Sequence, residues 1–256
     1  MAFVGRSAVE IFHLQFLRQL ASGTDRTHFT LKGGCNLRFF FGSIRYSEDL
    51  DLDVTVVAQE TLKRKVDRLL QSPALGLPLR AHQMIITDVS APKQTETTQR
   101  WKLGLSVAGY ATPLRTKVEF SRRAQPVSAA DTVVESADRE LARSYAMLAP
   151  VARHYRAAAA LVQKVQALVG RPEAQARDVF DLQLLHTRLA TLPELEPLLK
   201  SKLAFAADRV MSLTYDDYQG QVFAYLAPEH TAPFAGRRAW EEMQAEVLQL
   251  LEALSA

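Results

Sequence analysis

The sequence FTLKGGCNLRFFFGSIRYSEDLDLDV runs from Phe29 to Val54 and joins two strand-like segments through a glycine pair. Its first residues, Phe29 to Leu31, are typical of a short apolar strand. Near its end, acidic and aliphatic residues alternate. Because successive side chains of a strand point to opposite faces, Asp49, Asp51 and Asp53 are expected to share one face. The leucines between them are then expected to pack into a core.

Three like charges on one face of a strand repel each other unless a cation lies among them. Mg²⁺ is a hard cation that typically takes one or two carboxylates plus substrate phosphates. Gly33 and Gly34 lack a Cβ atom, so backbone N–H groups can approach a phosphate closely there. A helix that begins just after them adds its positive end. A glycine pair alone is usually a turn, and an acidic alternation alone is often a solvated edge strand, but their order and close spacing favour a site.

A glycine pair, a short helix and an Asp-x-Asp strand, in this order, resemble the polymerase-β-like nucleotidyltransferase superfamily. A fuller pattern resembles the AbiEii/AbiGii toxin family, to which the MenT toxins belong: Lys32-Gly33-Gly34, followed by Arg45-x-Ser47-x-Asp49-x-Asp51. One departure is Cys35, because the family commonly has Thr at this position. The departure touches hydrogen bonding near the phosphates more than the metal chemistry.

The resemblance implies transfer of a nucleoside monophosphate from an NTP, assisted by Mg²⁺ or alternatively Mn²⁺. It implies Asp49 and Asp51 as metal ligands and Glu119, on a predicted strand from Leu114 to Phe120, as the third carboxylate. The alternative is that Glu119 pairs with Lys117 or Arg122 on a solvated face. The nucleotide-binding residues near the glycines are then expected to be Lys32, Gly33, Gly34 and Ser47.

A second motif resembles the same family, with a lysine on one helix and an Arg-Asp-x-x-Asp-Leu pattern on the next. Here the lysine is Lys164, and the second part begins with Arg177 and contains Asp178 and Asp181. Residues three and four apart lie on adjoining parts of one helical surface. The resemblance implies that Lys164 holds the triphosphate as a catalytic residue and that the other three bind the nucleotide, with Asp178 or Asp181 orienting either Lys164 or the nucleotide. The alternative is a cluster of salt bridges that fixes the two helices.

The composition of the 256-residue chain is that of an ordinary soluble protein, with 48% hydrophobic and 23% charged residues. A net charge of +3 permits an anionic partner without requiring one. The single cysteine excludes an internal disulfide and fits a reducing cytosol, so we expect a cytoplasmic protein. No signal-peptide pattern and no apolar run near the ~20 residues of a membrane span is evident.

The predicted fold is α+β, with a nucleotidyltransferase-like domain at residues 1–130 and a helical domain at residues 131–256. The first domain is expected to contain a small mixed sheet with flanking helices. Pro73 and Pro78 are expected to bracket a loop, and residues Ala91 to Gln99 a hairpin loop. Helical periodicity dominates from about Asp138 onward.

The acceptor that the resemblance implies is RNA, specifically the 3′ end of tRNA, and the biological role is that of a toxin opposed by an antitoxin. Two other readings remain open. One is a module that binds NTP or RNA without turnover, although the intact acidic pair argues against it. The other is a nucleotidyltransferase that modifies a protein or a small molecule, since a fold does not determine the acceptor.

Overall fold

A computed structural model describes residues 2–22, 26–123 and 127–255 of the chain. Its contacts divide the chain into two compact units. The first unit comprises Met1–Gly42 and Tyr46–Tyr155, and the second comprises Ser43–Arg45 and Arg156–Ala256. No helix among the described residues is long and apolar enough to cross a membrane.

The first unit contains a mixed sheet whose described strands follow the spatial order β3-β4-β5-β2-β1-β7-β6. The strands are β1 (Phe29–Lys32), β2 (Asp49–Val54), β3 (Met84–Gln94), β4 (Thr98–Val107), β5 (Leu114–Arg122), β6 (Thr132–Ser136) and β7 (Val151–Tyr155). β2 runs antiparallel to β1 and parallel to β5, so it lies inside the sheet and is paired on both sides. The acidic alternation is therefore on a central strand and not on a solvated edge.

Helices cover the apolar face of this sheet. The helices of the first unit are α1 (Ala2–Ala21), α2 (Gly33–Phe40), α3 (Gln59–Gln71), α4 (Pro73–Ala81) and α5 (Arg139–Ser144). Phe12 and Phe16 of α1 are fully buried in the same core as Leu50 and Leu52 of β2. The aliphatic half of the alternation thus anchors β2, as the period-two pattern predicts.

The second unit is helical. Its α-helices are α6 (Ala157–Gly170), α7 (Ala176–Thr187), α8 (Pro197–Lys200), α9 (Leu203–Ser212), α10 (Tyr215–Gln221) and α11 (Arg237–Ser255). Its core includes the stacked rings of Tyr218 and Trp240, whose centroids lie 5.0 Å apart. The short Ser43–Arg45 segment joins this unit, and Arg45 forms an isolated antiparallel bridge with Leu226.

The predicted α+β class, with a mixed sheet and a helical C-terminal region, is confirmed. The predicted division at residue 130 stays a prediction, but the first compact unit extends to Tyr155. The reason is that β7 pairs with β1 in parallel through Leu31 and His154, and β6 pairs with β7. These two short strands are absent from the sequence interpretation.

One predicted loop is wrong, and a second is shorter than predicted. The segment between the prolines is helix α4, because Pro73 occupies the first turn, where its missing N–H is harmless. The Ser72 side chain caps this helix by accepting a hydrogen bond from the Leu75 N–H. The polar residues after position 91 continue β3 to Gln94, so the hairpin loop is much shorter than predicted.

Trp101 of β4 provides a test of how the sheet holds α3. Its side chain is fully buried, and its indole Nε1 donates a 2.8 Å hydrogen bond to Asp67 Oδ1 of α3. We expect Trp101→Phe to lower the free energy of unfolding by about 1–3 kcal/mol, since it removes this bond and leaves a small void. Denaturant titration of both proteins measures the difference. An unchanged stability would show that the bond does not hold α3.

Candidate active site

The carboxylates of β2 and β5 lie opposite each other in the sheet. Asp51 is the register partner of Glu119 across the parallel β2–β5 pair, and Asp49 is the partner of Lys117. Because the period of a strand is two, the alternate residues of both strands share one face. The structure therefore brings together on one face the three carboxylates that the sequence singles out as metal ligands.

Two of these carboxylates are neutralised by neighbouring strands. Lys117 Nζ lies 2.9 Å from Asp49 Oδ2. Arg100 of β4, the register partner of Glu119, donates from Nε to Glu119 Oε2 at 2.5 Å. The alternative pairing of Glu119 with Lys117 or Arg122 is thus not what the structure shows. Both carboxylates keep partial exposure, with 30% of the Asp49 and 19% of the Glu119 side chain accessible.

Asp51 differs from its neighbours, because among the described residues it forms no ion pair. Burial raises the pKa of Asp51 above its ordinary value; Lys117 lowers it and Asp49 raises it again. A carboxylate held among others without an ion pair favours the binding of a cation.

The donor set agrees with a hard divalent cation, since every ligand offered is a carboxylate oxygen. Among the described residues, no group of three or more His, Cys, Asp or Glu side chains is arranged as a ready-made metal cage. Mg²⁺ usually takes only one or two carboxylates and completes its shell with water and substrate phosphates. Asp49 and Asp51 fit that requirement.

Asp53 has a different environment from the other two aspartates of β2. Its side chain is fully buried and accepts a 2.6 Å hydrogen bond from Lys32 Nζ and a 2.5 Å hydrogen bond from the Tyr155 hydroxyl. Arg123 Nε lies 2.8 Å from the same carboxylate. Lys32, a predicted nucleotide ligand, also donates to Ser121 Oγ at 2.8 Å. Asp53 therefore anchors two cations beside the site.

The glycine pair lies directly against the acidic strand. Gly33 begins α2 with φ +68°, and a Cβ added there would lie 3.2 Å from Asp51 Oδ2. Residues with a side chain rarely adopt this positive φ. Glycine is therefore required both by the backbone conformation and by the close approach to Asp51. The first N–H groups of α2 have no helical acceptor, and α2 has no side-chain cap. The positive helix end therefore lies next to Asp51, as the sequence predicts.

Two side chains hold the start of β2. Ser47 Oγ donates to the Asp49 carbonyl at 3.0 Å, and Cys35 Sγ donates to the same oxygen at 3.2 Å. Burial raises the pKa of the Cys35 thiol, so it stays protonated and serves as a donor. Ser47, predicted to bind nucleotide, contacts the backbone of a carboxylate residue here.

The second unit contains a separate buried charge cluster. Lys164 Nζ of α6 lies 3.0 Å from Asp178 Oδ1 and 2.6 Å from Asp181 Oδ2 of α7. Arg45 Nη2 donates to both oxygens of Asp181, at 3.1 and 3.0 Å. Both aspartates are completely buried. The structure thus joins Lys164 to the second motif through ion pairs between helices.

Lys164 and Asp181 stay ionised because neighbouring charges outweigh the effect of burial on each. Burial lowers the pKa of Lys164, but Asp181 and Asp178 raise it, and the net direction is upward. Burial raises the pKa of Asp181, but Arg45 and Lys164 lower it below its ordinary value. Arg177 lies outside this arrangement: it is half-buried and has no ion pair within the described part of the chain.

The sequence matches a family model described as Nucleotidyl transferase AbiEii toxin, Type IV TA system, over residues 15–255. The chain belongs to the AbiEii nucleotidyl transferase toxin family. It is therefore a nucleotidyltransferase toxin of a type IV toxin–antitoxin system, and the resemblance of its motifs is confirmed. Comparison with curated proteins gave no match.

Solved structures share the fold of this AbiEii-family chain. JHP933 from Helicobacter pylori is 22% identical, with a TM-score of 0.59 over 96% of this chain and 93% of that one. MenT4, a nucleotidyltransferase toxin from Mycobacterium tuberculosis, is 21% identical, with a TM-score of 0.61 over 100% of this chain and 87% of that one. These likenesses support the nucleotidyltransferase-like architecture.

Three side chains that shape these clusters do not follow from the sequence pattern. Arg100 is the partner of Glu119, Tyr155 binds Asp53, and Arg45, although part of the first motif, belongs to the buried cluster of the second unit. The position of Arg45 within the family pattern is a signal that this residue matters. Arg100 and Tyr155 carry no such signal, because their contacts depend on which strands pair.

Gly33→Ala tests the close approach of the glycine turn to Asp51. We expect a loss of about 1–2 kcal/mol in stability, because alanine at positive φ is strained, together with displacement of the Asp51 carboxylate. Gly220→Ala is the matched control, since Gly220 lies in α10 with open space around its missing Cβ. Denaturant titration should show a loss only for position 33. Equal effects at both positions would contradict the requirement for glycine.

Lys164→Ala tests the buried cluster of the second unit. Removal of the ammonium leaves the buried Asp181 with Arg45 and the buried Asp178 with the more distant Arg171, whose Nε lies 3.4 Å away. Loss of one partner of a buried ion pair typically costs about 3–5 kcal/mol. The exposed Lys202 is the control, and Lys202→Ala should change stability by less than about 0.5 kcal/mol. Thermal and denaturant unfolding measure both. A Lys164→Ala protein of normal stability would show that the cluster does not stabilise the second unit.

Proposed function

We propose that this AbiEii-family enzyme transfers a nucleoside monophosphate from an NTP to a hydroxyl of RNA, with the 3′ end of tRNA as the acceptor. The observation that carries the proposal is the juxtaposition at Asp51. This carboxylate lies opposite Glu119 across the sheet and against Gly33 at the positive end of α2. Asp51 thus lies next to both a second carboxylate, with which it could bind a metal, and a backbone turn that could bind phosphates.

The reaction forms one bond and breaks one bond. The acceptor hydroxyl oxygen attacks the α-phosphorus of the NTP, and a new oxygen–phosphorus bond forms. The bond from the α-phosphorus to its bridging oxygen breaks, and that oxygen leaves with the electron pair as part of pyrophosphate. We assign Glu119 as the general base that takes the hydroxyl proton. Arg100 holds its carboxylate in place on the site face.

Asp49 and Asp51 are the proposed metal ligands, and Glu119 completes the set. When bound, Mg²⁺, or alternatively Mn²⁺, would stabilise charge on the attacking and leaving oxygens. Lys117 beside Asp49 supplies a positive charge to the same face. The N–H groups of Gly33 and Gly34 are proposed to hold the triphosphate, and Lys32 and Ser47 support them through Asp53 and the Asp49 carbonyl.

Direct roles of Lys164, Arg177, Asp178 and Asp181 in nucleotide binding stay predictions drawn from the family resemblance. The contacts of Lys164 with two fully buried aspartates also fit the alternative of a cluster that fixes α6 to α7. Arg177 is the member of the motif that retains exposure and no described ion pair. It is therefore the best proposed phosphate ligand of the four.

The family assignment implies a cognate antitoxin, and we propose that the toxin acts in the cytoplasm, where NTPs and tRNA are present. A module that binds NTP or RNA without turnover would not need two carboxylates side by side, so the register that places Asp51 beside Glu119 argues against this alternative. The acceptor is open to a direct test against protein and small molecules, because the fold does not determine it.

The test incubates the enzyme with each α-labelled NTP, Mg²⁺ and total tRNA. We expect label on tRNA from the wild type and a loss of about 10²-fold or more for Asp49→Ala and Asp51→Ala, since the transition-state charge is no longer stabilised. Asp88→Asn is the control, because Asp88 is an exposed carboxylate of β3 that pairs with Arg115. Circular dichroism checks that each variant is folded.

Near-normal transfer by folded Asp51→Ala would remove the proposed metal site. Label on protein bands instead of tRNA would move the acceptor to a protein. NTP binding in calorimetry without transfer to any acceptor would favour the binding module.

A further inference from the structure

A basic groove lies in the first unit against α1 and α3, and none of its lining residues belongs to the carboxylate face. Its volume is about 450 Å³. Three cations of α3 line it, Arg64, Lys65 and Arg68, and no acidic side chain among the described residues does. The neutral polar part of the lining comes from Gln19 of α1 and from Thr61 and Ser72. We call this feature the α3 groove.

The position of these cations follows from the helical pattern of α3. Leu62, Val66 and Leu69 are buried in the core of the first unit. Residues 61, 64, 65 and 68 recur at spacings of three and four, so they share the opposite face. Like charges at such spacings repel by about 0.2–0.5 kcal/mol per pair. Arg64 and Arg68 keep this spacing although neither forms an ion pair with a carboxylate among the described residues, so the face is suited to an external anion.

The two arginines of the groove are accessible to such an anion. Arg64 and Arg68 are exposed, and within the described residues neither forms an ion pair with a carboxylate. The nearby Lys63 is different, because its Nζ pairs with Asp67 at 2.8 Å. Burial lowers the pKa of Lys65. An incoming polyanion would supply negative charge to the two arginines.

The lining also indicates which kind of anion fits. Small-molecule sites of ~300–1,000 Å³ are lined mainly by apolar and aromatic side chains. Among the described residues that line the α3 groove, Leu69 is the one apolar member and none is aromatic, so these residues offer a base no ring on which to stack. Arginines with hydroxyl and amide donors are the groups that contact backbone phosphates. A phosphate backbone fits this chemistry better than a mononucleotide.

We propose that the α3 groove binds successive backbone phosphates of the RNA acceptor and supplies affinity without reading sequence. Arg64 and Arg68 each neutralise a phosphate, and Gln19 and Thr61 donate hydrogen bonds beside them. α3 follows β2 directly in the chain, so the groove belongs to the same unit as the proposed catalytic carboxylates. The inference rests on the proposed function in one respect, that the acceptor is RNA.

The experiment measures the affinity of labelled total tRNA for the full chain by fluorescence anisotropy between 50 and 300 mM salt. The test variant is Arg64→Ala/Arg68→Ala. Loss of two phosphate contacts should weaken binding about tenfold at moderate salt and flatten the slope of log affinity against log salt by about 1.4 to 1.8. Arg64→Lys/Arg68→Lys keeps both charges and should retain most of the slope.

The matched control is Lys200→Ala/Lys202→Ala, which removes two exposed cations from the second unit. It should leave the affinity and the salt slope close to wild type. An equal loss in this control, or no loss in the arginine variant, would overturn the proposal. Polyglutamate that displaces tRNA as well as an equal charge of unlabelled RNA would assign the groove to an acidic protein instead, and equal loss of NTP binding in calorimetry would assign it to the nucleotide.

Failure of this inference and failure of the proposed function are separable. If the wild type binds tRNA through the α3 groove but transfers no label, the groove proposal stands and the proposed reaction is contradicted. If the wild type labels tRNA and the arginine variant does so with unchanged KM, the proposed reaction stands and the groove proposal is contradicted.

Discussion

The parallel pairing of β2 with β5 is the constraint on which the site depends. Leu50 and Leu52 of β2 and Phe120 of β5 are fully buried, and their packing fixes the register of the two strands. A slip by one residue would turn every side chain to the opposite face. The same register places Asp51 opposite Glu119. The hydrophobic core thus determines the geometry of the carboxylates without touching them.

This arrangement places several carboxylates close together, and cations from adjacent strands pair with some of them but not with all. Lys117 pairs with Asp49, Arg100 pairs with Glu119, and Lys32 and Arg123 pair with the buried Asp53. Burial of a carboxylate is costly unless it is paired, so Asp53 needs its cations in order to fold. Asp51 keeps no ion pair among the described residues, yet it lies beside the helix end at Gly33. The uncompensated negative charge is therefore at Asp51, and a metal ion and a phosphate would bind most favourably there.

The sequence predicts the local parts of this site because alternation and glycine chemistry act within a few residues. The faces of β2, the turn at Gly33 and the start of α2 all follow from them. Partners that come from distant strands do not follow. Arg100 reaches Glu119 only through the register of the β4–β5 hairpin, and Tyr155 reaches Asp53 only because β7 joins the sheet beside β1. Helix α4 does not follow from the sequence pattern, because two prolines predict a loop, whereas Pro73 occupies the first turn of the helix.

The buried cluster shows why a motif and its physical role need separate arguments. The spacing of Asp178 and Asp181 predicts that they share a helical surface, but spacing gives no information on burial. With both carboxylates at zero exposure, their charge must be compensated within the protein before any ligand arrives. Lys164 and Arg45 provide that compensation at 2.6–3.1 Å, and Arg171 Nε lies 3.4 Å from Asp178. Any contribution of Lys164 to phosphate binding would therefore have to compete with two existing ion pairs, whereas Arg64 and Arg68 of α3 form none with the part of the chain that the structure describes.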